Sequence, residues 1–311
     1  MNVQVIRTIL AGLVFYLTIV TSAAQTSGIA PVKIWGEFGD KPGQFKYPAM
    51  IAADSSLNIY VVDQHNHRIQ KFDTEGNFVL MWGKKGSGEG EFNYPYGIAV
   101  DSKGNIYVSD MNNNRIEKFS PEGKFIASAG SYGSEAGQFK YPYGIAIDNN
   151  DVLYVIDAFN YRIQKFSSDL KFLSEWGDQE SIGIKLYMPH EIAISANGNI
   201  ILSDRQNHRI SFFSSDGDLI KRIGKFGEGT DSGGMLFSEP HGISVNRSGE
   251  IFICDRYNFR IHKFSSEGVF ITQWNTVESS DNSRYFPIGI VVSANGSIYV
   301  TDNYAHCVQK Y

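Results

Sequence analysis

The heptapeptide PYGIAVD occupies residues 95–101, and five related copies of it lie elsewhere in this chain of 311 residues. Each copy begins with a proline, and successive prolines are 47 residues apart except for one step of 51 residues. An aspartate follows each proline at a fixed distance of 15 residues. Such a period is typical of stacked structural units, so the chain is predicted to be a repeat protein. The prolines are Pro48, Pro95, Pro142, Pro189, Pro240 and Pro287, and the aspartates are Asp63, Asp110, Asp157, Asp204, Asp255 and Asp302.

One repeat contains four short β-rich segments that are separated by turn sequences. In the second copy these segments are residues 97–101, 106–110, 115–119 and 125–129. Strands of about five residues joined by short turns are typical of an antiparallel meander. Six such units predict an all-β fold, namely a six-bladed β-propeller of four-stranded antiparallel blades.

The two ends of the repeat region complement each other. The sixth copy stops at Tyr311, after its third strand, whereas residues 32–36 (VKIWG) align with the fourth strand VLMWG at residues 79–83. We therefore predict that the N-terminal strand completes the last blade, which would leave no open sheet edge there. All four tryptophans end such fourth strands. This indicates packing between blades rather than a binding site.

The first 24 residues lie outside the repeat and have the pattern of an export signal. Arg7 precedes an apolar run at residues 8–20, and the small residues 21–24 (TSAA) suit a signal peptidase. The run is shorter than the ~20 residues that span a bilayer, so we predict cleavage, with an uncleaved membrane anchor as the alternative. The predicted organisation is a signal peptide at 1–24, a leader at 25–31 and the propeller at 32–311. The protein is expected to be secreted or extracytoplasmic.

The chain has two cysteines, Cys254 and Cys307. They flank the same kind of connection in neighbouring repeats, so they could lie close together. The sequence leaves two outcomes open, a disulfide bond or two buried free thiols.

The combined motifs resemble the NHL repeat. They are PYGIAVD at 95–101, NIYVSD at 105–110 and NNRIEKF at 113–119, and in-phase copies cover residues 32–311. The resemblance implies a six-bladed propeller but no single function, because NHL propellers serve several roles. Some are ligand- or protein-binding modules outside the cell, and those of tripartite-motif proteins bind RNA or protein. One relative, peptidylglycine amidating lyase, is a zinc enzyme.

The most regular polar motif, Asp-x-x-Asn-x-Arg, is interpreted as structural. Five copies keep both Asn and Arg, whereas the sixth has Ala305 and Cys307 at those positions. Asp and Asn cap turns, and a carboxylate pairs with Arg, so the motif needs no ligand to explain it. Positions that differ between repeats are better candidates for a site.

These variable positions are expected to cluster at one mouth of the axial channel. The residue after each proline starts the innermost strand, and the residue after the repeated aspartate opens a connection on the same face. In blades two to five these positions and nearby connections carry aromatic, histidine and arginine side chains, which suit an anionic or polar ligand. The predicted binding residues are Tyr96, Tyr143, His190, Glu191, Arg205, His241, Arg256, Tyr257 and Tyr304.

The predicted function is that of a secreted, non-catalytic binding or recognition module that uses this channel-mouth face. The expected partner is a small molecule or an extracellular protein or peptide, and we expect a monomer. The formal net charge of −5 and the mixed signs of the inter-blade loops argue against nucleic acid.

The alternative function is that of a metal-dependent lyase or hydrolase resembling peptidylglycine amidating lyase. In that family zinc-binding histidines stand at the post-proline position, which His190 and His241 match, and Arg205 matches a functional arginine. The lyases use three histidines from alternate blades, whereas this chain has two from adjacent blades. A zinc site requires at least three protein ligands. Glu191 is not expected to be the third, because successive side chains along a strand point to opposite faces and Glu191 should point away from His190. We therefore predict no cofactor and no catalytic residue, with zinc or calcium at His190 and His241 as the alternative.

Overall fold

Each sequence repeat folds into one four-stranded antiparallel sheet, and six such sheets form the blades of a β-propeller. The computed structural model describes residues 29–177, 186–229, 233–276 and 285–311. The prediction of an all-β, six-bladed propeller is confirmed. The predicted signal peptide and most of the predicted leader lie outside the described residues. Within those ranges, no helix is long and apolar enough to cross a bilayer.

The first three blades each run from an innermost strand at the channel to an outermost strand at the rim. The short strand β1 (Lys33–Trp35) precedes them. Blade 1 contains β2 (Pro48–Ala53), β3 (Ile59–Asp63), β4 (Arg68–Phe72) and β5 (Phe78–Trp82). Blade 2 contains β6 (Pro95–Val100), β7 (Ile106–Asp110), β8 (Arg115–Phe119) and β9 (Phe125–Ala129). Blade 3 contains β10 (Pro142–Ile147), β11 (Leu153–Asp157), β12 (Arg162–Phe166) and β13 (Phe172–Gly177).

The last three blades repeat this order, with a short parallel pair inserted between blades 4 and 5. Blade 4 contains β14 (Pro189–Ile194), β15 (Ile200–Asp204), β16 (Arg209–Phe213) and β17 (Leu219–Ile223). The parallel pair is β18 (Lys225–Phe226) and β19 (Leu236–Phe237). Blade 5 contains β20 (Pro240–Val245), β21 (Ile251–Asp255), β22 (Arg260–Phe264) and β23 (Phe270–Asn275). Blade 6 contains β24 (Pro287–Val292), β25 (Ile298–Asp302) and β26 (Cys307–Lys310).

Strand β1 supplies the outermost strand of blade 6. It pairs antiparallel with β26, so that Lys33 faces Lys310 and Trp35 faces Val308. The Trp35 ring packs on Phe72 of blade 1 with ring centroids 6.1 Å apart. A side chain at Gly76 of blade 1 would meet the Trp35 ring at 2.6 Å, which shows how tightly the indole fits. The outer tryptophan therefore packs between blades.

Both cysteines are free thiols, and both are buried. Cys254 lies in β21 and Cys307 begins β26 of the neighbouring blade. Burial raises the pKa of the Cys254 thiol well above its ordinary value, which keeps it in the unreactive thiol form. Of the two outcomes that the sequence left open, the structure adopts the free thiols.

In blades 1 to 5 the Asp-x-x-Asn-x-Arg motif ties the blade to the loop that precedes it. In blade 1, Asp63 accepts hydrogen bonds from the backbone N–H of Lys46 at 2.7 Å and from Nδ2 of Asn66 at 2.9 Å. It also accepts from Nε of Arg68 at 2.7 Å. The rest of the Arg68 guanidinium donates to backbone carbonyls of the preceding loop. These contacts agree with the structural interpretation of the motif.

The sixth copy of the motif leaves a buried oxygen without donors. Oδ1 of Asp302 accepts hydrogen bonds from the N–H groups of Tyr304 at 3.0 Å and Ala305 at 2.7 Å. The buried Oδ2 has no hydrogen-bond partner among the described residues, since Ala305 and Cys307 replace the Asn and Arg of the other copies. Burial raises the pKa of Asp302 to about 7. A buried carboxylate oxygen without a hydrogen bond destabilises the folded state, so Asp302 lowers the stability of blade 6.

A β-bulge follows the proline of each innermost strand. In blade 2, Pro95 pairs with Asp110, but the next regular pair is Ile98 with Val108. Tyr96 therefore lies in the bulge, and the same irregularity recurs in all six blades. Bulges re-aim side chains, and this one allows the post-proline side chains of different blades to meet at the axis.

Candidate binding site at the channel mouth

The two faces of the ring carry different connections. The segments from the second to the third strand of each blade and the loops between blades emerge on one face, which we name the mouth face. The turns that join the first strand to the second and the third to the fourth emerge on the opposite face, the turn face. Single-turn 3-10 helices on the mouth face are Gln64–Asn66, Met111–Asn113, Ala158–Asn160, Arg205–Asn207 and Arg256–Asn258.

Four of the predicted residues meet as one group, the axial cluster of Tyr96, Tyr143, His190 and His241. The imidazole rings of His190 and His241 have centroids 4.1 Å apart. The Tyr96 hydroxyl lies 3.1 Å from each ring nitrogen of His190. The Tyr143 ring packs on Tyr96 and on His190, at centroid distances of 5.1 Å in both cases. Tyr96 and both histidines are buried, whereas Tyr143 is partly exposed.

Both ring nitrogens of His241 are occupied. Nδ1 lies 2.8 Å from the backbone carbonyl oxygen of Glu239, and Nε2 lies 3.2 Å from Nη1 of Arg256. A guanidinium can only donate, so Nε2 accepts and Nδ1 carries the proton that Glu239 receives as a hydrogen bond. His241 is therefore a neutral imidazole whose Nε2 lone pair accepts a hydrogen bond from an arginine.

The two arginines of the site differ in their charge partners. Arg205 pairs with Glu239, with Nε 2.7 Å and Nη2 2.5 Å from Oε2. No carboxylate of the described residues lies within ion-pair distance of Arg256, and its buried Nε has no hydrogen-bond partner among them. The Arg256 guanidinium lies over the Tyr257 ring at 5.0 Å from its centroid, which is a cation–π contact. Among the described residues, Arg256 thus has no carboxylate in ion-pair contact.

The axial cluster is uncharged at neutral pH. Burial, together with the nearby charges of Arg205 and Arg256, lowers the pKa of His190 well below its ordinary value. Burial and the neighbouring His190 do the same to the pKa of His241. Burial raises the pKa of Tyr96 well above its ordinary value. Arg256 is therefore the group that gives this part of the channel its charge.

Glu191 packs against the neighbouring blade instead of joining the axial cluster. Its Oε1 accepts a hydrogen bond of 3.0 Å from the backbone N–H of Ile192. The same oxygen would lie 2.5 Å from a Cβ placed on Gly144, so the missing side chain at Gly144 makes room for the carboxyl group. Burial raises the pKa of Glu191 to about 8, so it is protonated at neutral pH.

Tyr257 and Tyr304 belong to one aromatic surface of the mouth face, the aromatic rim of Tyr257, Phe286 and Tyr304. The Phe286 ring connects the two predicted tyrosines, at centroid distances of 6.0 Å to Tyr257 and 4.7 Å to Tyr304. Tyr304 is 56% exposed and Tyr257 is 41% exposed. Rings that are half exposed offer flat surfaces on which a ligand can stack.

Sequence reasoning missed two residues of this site, Glu239 and Phe286. Both stand immediately before a repeated proline, where four of the six copies are aromatic and one is acidic. That variation was a usable signal. It was overlooked because the pre-proline position falls in a loop rather than in the strand that faces the channel.

The donor set of the site does not fit a metal ion. Among the described residues there is no group of three His, Cys, Asp or Glu side chains placed to hold one. The lone pair of His241 faces Arg256, and Glu191 lies against the next blade. Zinc prefers at least three protein ligands and calcium prefers six to eight oxygen atoms. Zinc or calcium at His190 and His241 stays a prediction that lacks a third ligand.

Family models match two parts of the chain. The NHL repeat model matches residues 186–213, 237–264 and 285–311. A model described as a 6-bladed beta-propeller matches residues 50–116 and 102–177. Protein brain tumor of Drosophila melanogaster is 50% identical over 44 residues, which are 14% of this chain. That segment is 4% of the fly protein, so the chain spans only a small fraction of its curated relative.

Solved structures share the fold at low sequence identity. A catalytically inactive virginiamycin B lyase variant from Staphylococcus aureus, with quinupristin, has a TM-score of 0.60 at 15% identity, covering 89% of this chain and 98% of that one. A gluconolactonase from Xanthomonas campestris has a TM-score of 0.63 at 13% identity, covering 86% of each chain. At these identities the likeness establishes the propeller fold and does not transfer an activity.

Proposed function

Starting from a chain that carries NHL repeats in a six-bladed β-propeller, we propose that it is a non-catalytic recognition module whose mouth face binds an anionic ligand. The single observation that supports this proposal most is Arg256. It is held in place by His241 and Tyr257, yet no described carboxylate neutralises it. An anion at this position would gain a charge-assisted hydrogen bond without having to displace an existing ion pair.

The aromatic rim supports a ligand with a planar or apolar portion. Tyr257 contacts Arg256, and Phe286 and Tyr304 continue the aromatic surface beside it. Such a surface suits a small organic anion or the acidic or aromatic side chains of an extracellular protein or peptide. The net charge of −5 argues against nucleic acid as the partner. We propose a monomer that is exported through the signal at residues 1–24.

Two features of the axial cluster support a non-catalytic role. The His241 imidazole makes hydrogen bonds with both nitrogens, so neither is free to act as a general base toward a ligand. The buried Tyr96 hydroxyl contacts His190, and burial lowers the pKa of that imidazole well below its ordinary value, so it is a weak base. The cluster therefore acts as a rigid support for Arg256.

Isothermal titration calorimetry of the protein with phenyl phosphate tests the proposal. We expect a binding event at the mouth face of the wild type, and Arg256→Gln should weaken that event at least about tenfold, since a hydrogen bond to a charged group is worth roughly 1.5–3 kcal/mol. Lys103→Gln, which removes a cation from the turn face, is the matched control and should bind like the wild type. Equal affinity of Arg256→Gln and wild type would overturn the proposal.

The second candidate is a metal-dependent lyase or hydrolase. The observation in its favour is that the His190 and His241 rings lie 4.1 Å apart in a fold shared with virginiamycin B lyase. Elemental analysis of the purified protein distinguishes the two. One zinc per chain that disappears in His190→Ala or His241→Ala would favour the enzyme, whereas substoichiometric metal that is unchanged in both variants would favour the recognition module.

A further inference from the structure

In five blades a lysine on the turn face lies over an aromatic ring, and in blades 1, 2, 3 and 6 it also donates to a backbone carbonyl of the next blade. Lys118 lies over the Tyr107 ring at 5.2 Å and donates to the backbone carbonyl of Ser168, in the next blade, at 2.8 Å. The Tyr107 hydroxyl donates to Asp101 at 3.1 Å, so the pair is also fixed to its own blade. The equivalent pairs are Lys71–Tyr60, Lys165–Tyr154, Lys263–Phe252 and Lys310–Tyr299.

Blade 4 lacks this lysine–aromatic pair. Ile201 replaces the aromatic ring and Phe212 replaces the lysine. A different cation, Lys221 of β17, lies over Phe212 at 4.5 Å and donates to the backbone carbonyl of Glu267 in blade 5. Because this lysine comes from the outermost strand, the inner part of the junction between blades 4 and 5 is not filled by a lysine side chain.

Two adjoining cavities open at this junction, which we name the blade-4 cleft. A cavity of about 420 Å³ lies between blades 4 and 5, with Ile201, Phe212 and Ile220 in its lining. A second of about 580 Å³ lies nearer the axis, among the first turns of blades 3, 4 and 5. Both are lined by Asn197 and Arg247. Each volume is in the range of small-molecule sites.

All but one of the charged residues that line the blade-4 cleft have a hydrogen-bond partner among the described residues. Asp148 accepts hydrogen bonds from two backbone N–H groups and from the Tyr154 hydroxyl. The Glu267 carboxylate accepts from two serine hydroxyls, and Lys221 donates to a carbonyl. Arg247 makes no ion pair or hydrogen bond with any residue that the structure describes. It borders both cavities, so its guanidinium is available to a ligand in either.

We propose that the blade-4 cleft is a second binding site, on the face opposite the channel mouth, for an organic anion with an apolar body. The apolar body lies on Ile201 and Phe212, and its burial supplies most of the affinity. The anionic group lies at Arg247, which orients the ligand by charge-assisted hydrogen bonds. Asn197 adds a polar amide beside that group.

Fluorescence titration with 8-anilinonaphthalene-1-sulfonate tests this site, with the uncharged N-phenyl-1-naphthylamine as the comparison probe. Arg247→Gln should lower the affinity of one binding event of the sulfonate at least about tenfold. The affinity of the uncharged probe should stay within about twofold of the wild-type value. The double variant Ile201→Tyr/Phe212→Lys restores the pair found in blades 1, 2 and 3. It should fill the cleft and abolish this binding event for both probes.

Two controls keep the result specific to the cleft. Lys103→Gln removes a cation from an equivalent turn of blade 2, and Arg256→Gln removes a cation from the mouth face. Neither variant should alter the binding event of the sulfonate that Arg247→Gln weakens. Circular dichroism and thermal melting show whether each variant is folded. Folded Arg247→Gln or Ile201→Tyr/Phe212→Lys protein with wild-type affinity for the sulfonate would overturn the proposal, as would an equal loss in Lys103→Gln.

Discussion

Nη1 of Arg256 donates a hydrogen bond of 3.2 Å to Nε2 of His241, and this contact sets the tautomer of the histidine. The proton is left on Nδ1, from which it is donated to the Glu239 carbonyl. Glu239 also holds Arg205 through its carboxylate. One imidazole thus joins the two arginines of the channel mouth into a single network.

Replacing His241 by Phe should destabilise the protein through Arg256 rather than through lost packing. The substitution keeps a ring in the axial cluster but removes both the acceptor for Arg256 and the donor to Glu239. Leaving a buried polar group unsatisfied costs about 1–3 kcal/mol, and urea unfolding should show a loss of that size. His241→Gln, which keeps an amide donor and acceptor, should lose less. An equal loss in the two variants would contradict the proposed role of the hydrogen bonds.

Asp302→Asn should stabilise the protein above neutral pH. Burial raises the pKa of Asp302 from its ordinary value of 3.8 to about 7, so the native state keeps a proton that the unfolded chain has released. The free energy of unfolding therefore falls as pH rises from about 4 to 7 and then levels off. A shift of this size corresponds to roughly 4 kcal/mol, most of which Asn should recover.

Thermal melts of the wild type and Asp302→Asn at pH 4.5 and pH 8 measure this effect. The matched control is Asp110→Asn, because the Asp110 carboxylate accepts from Asn113 at 2.6 Å and from Arg115 at 3.0 Å. That variant should be destabilised at pH 8. A destabilised Asp302→Asn at the same pH would show that Oδ2 has a donor after all.

Glu191→Gln should have little effect on stability at pH 4.5 and should raise it at pH 9. The pKa of Glu191 is raised to about 8 by burial, so between about 4.5 and 8 the unfolded chain releases a proton that the native state keeps. An amide has the same shape as the protonated carboxyl group and never ionises. The measurement is the difference in unfolding free energy between variant and wild type across this pH range, and a difference independent of pH would contradict the burial argument.

Trp35→Ala should destabilise the ring more than Ile34→Ala on the same strand. Trp35 packs on Phe72 and Tyr299, at centroid distances of 6.1 Å and 6.0 Å, whereas Ile34 is 43% exposed. Because Trp35 is itself only partly buried, the expected loss of about 2–3 kcal/mol lies below that of a fully buried aromatic. Guanidinium unfolding of both variants measures the losses. Equal small losses would mean that the outer tryptophan contributes little to the blade junction.

The repeat made the fold predictable, and the departures from it made part of the site predictable. The post-proline residues Tyr96, Tyr143, His190 and His241 were chosen because they differ between blades, and they do meet at the axis. Their meeting follows from a sixfold ring in which equivalent positions point at one line.

The remaining features depend on contacts between blades that a repeat alignment does not contain. The partner of Arg205 is Glu239, which lies 34 residues later in a loop of the next blade. Glu191 was listed among the binding residues although the strand alternation predicted that it points away from His190, and its carboxyl group lies against the adjacent blade beside Gly144. The substitutions at Ile201 and Phe212 were visible in the sequence. Their consequence, a cleft, depends on how the blades pack.

The pairing of Lys33 with Lys310 also constrains how the protein is made. β1 can pair with β26 only after residues 307–310 have been synthesised. Blade 6 is therefore assembled across the longest sequence separation in the ring. Contacts between distant residues form slowly, because a long loop must close first. During synthesis β1 therefore emerges as an unpaired strand with exposed apolar residues while blades 1 to 5 fold behind it. The interval before β26 is synthesised is when this chain is most exposed to aggregation.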